Sequence, residues 1–127
     1  MASDTLTMTA ATPRAIGDAR HALEAQLDRW ACGRMPDSLL VFSELVTNAV
    51  THAGGAIRIV VEHGDHTLRL AVHDDTHGVP ALRDAASAEG GFGLRIVDRV
   101  SASWGWEQTA SGKVVWSALD CCVDNVD

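Results

Sequence analysis

Apolar residues recur along this chain with two distinct periods. Ile16, Ala19, Leu23, Leu27 and Trp30 follow an i, i+3, i+7, i+11, i+14 stripe, which predicts a helix over Pro13 to Ala31. Thr12 and Pro13 head it as the cap and the first helical residue. Gly33 to Pro36 breaks the pattern, and Asp37 or Ser38 then caps a second helix that stops at Gly54-Gly55. Along this helix Phe42, Leu45, Val46, Ala49, Val50 and Ala53 make an apolar arc. Glu44, Asn48 and His52 lie four residues apart on the other side. The period then changes to two. Ile57, Ile59 and Val61 alternate with Arg58, Val60 and Glu62, and Leu68, Leu70 and Val72 alternate with Arg69, Ala71 and His73. His63 to His66 joins these strands.

Weaker signals complete the pattern. Leu6 to Ala10 alternates enough for an edge strand, and Leu94 to Val100 is again helical. Ala102 to Glu107 and Lys113 to Leu119 read as a second hairpin around Ser111-Gly112. Val79 to Gly90 is small, polar and Gly-ended, the composition of a mobile segment. Helices gathered on one face of a mixed, mostly antiparallel sheet give a two-layer α/β sandwich. It forms one domain over residues 1–127, with a core at about 6–119 and a tail at 120–127.

Composition narrows the function classes. A chain of 127 residues suffices for one domain with a real core, and 46% hydrophobic residues fit a globular fold. The formal charge of −7, with ten scattered Lys and Arg, opposes direct DNA binding. No run approaches the ~20 apolar residues of a membrane span, and no secretory leader is apparent. Cys32, Cys121 and Cys122 form no disulfide framework, so a reducing, cytoplasmic setting fits. His63, His66, His73 and His77 lack the cysteines or the helical His spacing of a transition-metal site. Trp30, Trp104, Trp106 and Trp116 suit the core or a protein interface.

The Glu44–Asn48 stripe has two readings from the residues alone: a solvated helix face, or a proton acceptor held one turn from a ligand for a hard cation. Asp74 has the same ambiguity, as a turn acid at a strand end or as an acceptor for a base amine. Gly91 and Gly93 make either a flexible loop or a turn that aims helix N-terminal N–H groups at phosphate.

The order of these motifs resembles one superfamily. A helix carrying Glu44 and Asn48, then Asp74-Asp75-Thr76-His77-Gly78, then Gly90-Gly91-Phe92-Gly93-Leu94 entering a helix, is similar to the nucleotide-binding boxes shared by gyrase, the Hsp90 chaperone, histidine kinases and MutL. The likeness is greatest to the small anti-sigma-factor serine/threonine kinases and stand-alone ATP-binding regulators of actinobacteria. It runs through ATPRAIGDARHALEAQLDRW, SELVTNAVTHA, GFGLRIVDRVSASWGW and GKVVWSAL, about residues 6–119.

The resemblance implies a Bergerat-type ATPase fold that binds ATP with Mg²⁺. It assigns Glu44 as general base, Asn48 as Mg²⁺ ligand and Asp74, rather than the neighbouring Asp75, as acceptor for the adenine amine. Gly78, Gly91, Gly93 and Leu94 would line the nucleotide, Gly78 letting the backbone approach the base; His52, one turn past Asn48, either lines that pocket or only ends the helix favourably against its dipole. Thr76 stands where the family's pattern has glycine. The implied function is an anti-sigma-factor kinase, a homodimer that switches between a sigma factor and a phosphorylatable antagonist. The alternative is a non-catalytic ATP-binding module acting through protein contacts. Glu44 favours the kinase; a short segment with Arg83 but no lysine favours the module. A detached histidine-kinase ATPase fits less well, since His21 belongs to a core-forming helix and not to a phosphoacceptor hairpin.

Overall fold

Thr12 sets the start of the first helix in the computed structural model. Its extended backbone and its Oγ1, which accepts from the Ala15 amide at 3.1 Å, satisfy a donor that the first turn leaves free. Pro13 follows at a position that needs no N–H, and α1 runs over Pro13–Arg29. Its stripe is the expected one: Ala19, Leu23 and Leu27 are buried, with Ile16 and Trp30 packed at the margins. The structure describes residues 2–8, 12–30, 33, 35–52, 57–64, 66–75 and 93–120.

The second helix, α2 (Met35–His52), begins before the expected cap. Pro36 is tolerated in a first turn because its missing N–H would have no intrahelical partner, so it opens the helix instead of breaking the chain. Asp37 therefore lies inside the first turn, at the positive end of the helix dipole, and Ser38 is buried. The expected stop at Gly54-Gly55 lies outside the described residues.

Among the described residues five strands make one sheet: β1 (Ala2–Met8), β2 (Ile57–Gly64), β3 (Thr67–Asp74), β4 (Ser103–Thr109) and β5 (Gly112–Asp120), in the order β1-β2-β3-β5-β4. Every described pairing is antiparallel, so the parallel share allowed for in a mixed sheet is absent among the described residues. The first strand, Ala2–Met8, begins four residues before the expected Leu6 and pairs with β2 along its whole length, while Thr9 and Ala10 lie outside the described residues. Both hairpins are tighter than expected. Gly64 pairs with Thr67, and Thr109 with Gly112, leaving two-residue loops. His66 adopts φ 63° to close the first of these.

The strand phase decides which residues meet the helices. Ile57, Ile59 and Val61 on β2, Leu68, Leu70 and Val72 on β3, and Val115 and Leu119 on β5 join the core cluster. They pack against Leu23 and Leu27 of α1, Phe42, Leu45 and Val46 of α2, and Leu94 and Val97 of α3 (Gly93–Val100). Burying each such side chain contributes about 1.5–3 kcal/mol. The opposite sheet face carries Arg58, Glu62, Arg69, His73 and Trp116, with the Arg69 guanidinium 5.2 Å from the Trp116 ring centre. The result is a two-layer α/β sandwich. Among the described residues, no helix is long and apolar enough to cross a membrane.

Candidate functional site

The candidate residues fall in two places, one on α2 and one at the paired ends of β3 and β5. On α2 the faces divide differently from the simple apolar arc. Ser38 and Val41 are buried alongside Phe42, Leu45, Val46 and Ala49, while Leu40 and Thr47 are exposed. At ~100° per residue, this puts Glu44 and Asn48 on the margin of the buried arc, not on the outermost face. Both are half-buried, one turn apart. Arg20 of α1 donates to Ser43 Oγ at 2.9 Å and so marks the other margin. The Glu44–Asn48 edge faces away from α1, and α2 also packs against α3, β3 and β5.

Asn48 is chemically pointed. Its side-chain oxygen Oδ1 is buried and has no hydrogen-bond partner among the described residues. An acceptor left in that condition costs about 1–3 kcal/mol. Coordination by a hard cation would relieve that cost, because an amide oxygen is a suitable ligand for Mg²⁺. The residues present thus fit such an ion.

Asp74 is the last residue of β3, buried at 6% exposure on the helix-facing side, whereas Asp75 beyond it is exposed. Directly across the ladder stands Lys113, the only lysine in the chain, at 2% exposure. Its Nζ lies 3.7 Å from Asp74 Oδ2. Gly112 allows this approach. A Cβ there would sit 1.9 Å from the Asp74 carbonyl oxygen and 2.7 Å from Asp75 Cα, so only glycine lets β5 start against that backbone. In sequence, Lys113 has only a strand position and Gly112 only a turn position. The usable signal was phase: Lys113 shares its strand face with Val115, Ser117 and Leu119, all turned to the core.

Gly93 opens α3, and the first amides of that helix, Leu94 included, lack intrahelical partners. The Leu94 side chain is buried in the core, which leaves only its backbone N–H to face a ligand. His52 is the last helical residue of α2. Gly78 and Gly91 lie outside the described residues, as do Arg83, the Val79 to Gly90 segment and all three cysteines. Of the histidines, His63 stacks on Trp30 with ring centres 5.4 Å apart, while His73 lies on the opposite sheet face.

A groove of about 610 Å³ opens between α1 and α2, lined by Arg20, Glu24, Met35, Leu39, Leu40 and Ser43 among others. It lies on the margin of α2 away from Asn48, and its lining holds no acid–amide pair spaced like Glu44 and Asn48.

The family model of the histidine kinase-like ATPase domain matches residues 9–118. The chain belongs to this family. Among the described elements the match spans the three helices and both hairpins as far as residue 118 in β5, hence the Glu44–Asn48 edge and the Asp74–Lys113 pair, and leaves β1 outside. Membership in this ATPase family implies ATP binding, typically with Mg²⁺. No curated protein matches the chain significantly in sequence.

Proposed function

We propose that this ATPase domain is an ATP-dependent protein serine/threonine kinase of the anti-sigma-factor type. It would act as a homodimer in the cytoplasm, alternating between a sigma factor and an antagonist that it phosphorylates. The observation that carries the reading is the α2 edge. It offers a carboxylate and an amide oxygen one turn apart, both half-buried, the oxygen without a partner among the described residues.

In this reading Asn48 holds the metal ion, and Asp74 accepts a hydrogen bond from the exocyclic amine of adenine. His52 ends the helix beside the phosphates, and Gly78, Gly91, Gly93 and the Leu94 amide shape the loop and helix start around them. Mg²⁺, when bound, neutralises charge on the phosphates. Glu44 takes the proton from a partner's serine hydroxyl. That oxygen forms its bond to the γ-phosphorus while the bond from phosphorus to the β,γ-bridging oxygen breaks, and ADP leaves.

One observation favours the non-catalytic module instead. The only lysine in the chain lies beside Asp74, at the base end of the proposed site, so no lysine is left to clamp the phosphates. Incubation with γ-labelled ATP and small antagonist-like proteins encoded nearby separates the two readings. The kinase reading expects label on a partner serine, and a loss of about 10²–10⁴-fold in rate for Glu44→Gln with ATP affinity retained. ATP binding without transfer to any candidate would favour the module.

A further inference from the structure

Within the nucleotide reading, on which this inference rests, we propose that Lys113 is a second base-reading residue. Its ammonium donates to ring nitrogen N1 of adenine while Asp74 accepts from the N6 amine. The adenine edge presents a donor, N6–H, immediately beside an acceptor, N1. Asp74 and Lys113 present the complementary order, an acceptor beside a donor. They are directly opposed in register, their side chains share the helix-facing side, and their charged atoms lie 3.7 Å apart. An ammonium has three donors and a carboxylate about four acceptor sites, so the two groups can keep their contact with each other and still meet neighbouring atoms of one ring edge.

Burial gives the pair its discriminating power. Lys113 and Asp74 are 3% and 1% exposed at the side chain, so a mismatched polar contact there has no water to fall back on. Guanine in the same pose would turn its O6 to the carboxylate and its N1–H to the ammonium. Both contacts would be like against like, where Asp74 alone would produce one mismatch. Gly112 supports the arrangement by letting β5 begin hard against Asp74, which brings Lys113 to the base edge.

The test pairs one atom of the ligand with one residue of the protein. Calorimetry would compare ATP with 1-deaza-ATP, in which N1 is replaced by C–H, on the wild type and on Lys113→Met. The wild type should bind 1-deaza-ATP about tenfold or more weakly than ATP, the loss expected for one hydrogen bond to a charged group. Lys113→Met should bind ATP more weakly by a similar factor and treat the two nucleotides alike. Equal binding of both by the wild type overturns the role of Lys113 while leaving the nucleotide site intact, and this comparison needs no variant that might misfold. A penalty that persists in Lys113→Met also overturns it, because another group would then be reading N1. Absence of ATP binding altogether would instead overturn the nucleotide reading itself.

Discussion

Lys113 and Asp74 face each other across the β3–β5 ladder, Nζ to Oδ2 at 3.7 Å, in a place almost closed to solvent. A buried pair of this kind is costly to build and costlier to break, because removing one charge strands the other. Its position at the strand ends, against Gly112, makes one element serve two purposes. The pair fixes the β3–β5 corner and, in the proposed reading, also presents a hydrogen-bonding edge to the base.

Asp74→Asn should therefore act on stability as well as binding. The substitution leaves the Lys113 ammonium beside a neutral amide, with an expected loss of roughly 3 kcal/mol in unfolding free energy. ATP affinity should fall about tenfold or more, and the preference for ATP over GTP should narrow. Urea unfolding and calorimetry with both nucleotides measure these effects. A stable variant with unchanged selectivity would remove Asp74 from the site.

The β2–β3 turn offers an independent check on local geometry. His66 is held at φ 63°, a conformation that costs a side chain with a Cβ about 1–2 kcal/mol. Glycine relieves that strain but gains freedom in the unfolded chain, at a cost of roughly 0.5–1 kcal/mol. His66→Gly should stabilise the protein by up to ~1 kcal/mol in urea unfolding. Destabilisation would show that the His66 side chain does more than close the turn.

His73 links stability to pH. Partial burial, with Arg58 and Arg69 nearby, holds its imidazole below the usual 6.5, against a smaller opposing pull from Asp74. A lowered pKa in the folded state means that the unfolded chain binds the proton more readily. The stability tied to neutral His73 is thus present above about pH 6.5 and is lost as pH falls through the folded-state pKa. An NMR titration should place the His73 midpoint below 6.5, and His73→Gln should flatten the acid side of the stability profile. A midpoint above 6.5 would contradict the assignment.

Much of this was legible in the sequence where periodicity was strong. The α1 stripe through Leu23 and Leu27 and the alternation of β2 and β3 put the core where it is, because burial leaves such patterns little choice. The start of β1 was less legible: Ser3 and Asp4 carry no apolar alternation, and it is pairing with β2 that makes them strand. Pro36 misled in the opposite direction, since proline at a helix start and proline as a breaker look alike until the first turn is seen. Asp74 stood out by its motif. Lys113 did not, because a charge in phase with the core reads as an exception until its cross-strand partner is known. The half-buried setting of Glu44 and Asn48 likewise needed the packing of α2 against its neighbours.

If the half-buried edge of α2 holds the metal end of a nucleotide, that hold depends first on Asn48. Asn48→Ala removes the one side-chain oxygen that is buried there without a described partner. Calorimetric titration of wild type and variant with ATP and with adenosine, each with and without Mg²⁺, is the measurement. The variant should lose the Mg²⁺-dependent part of ATP affinity, at least about tenfold, while adenosine binding stays nearly unchanged. If ATP and adenosine weaken together, or if ATP affinity does not change, Asn48 does not hold the metal and the site must lie elsewhere.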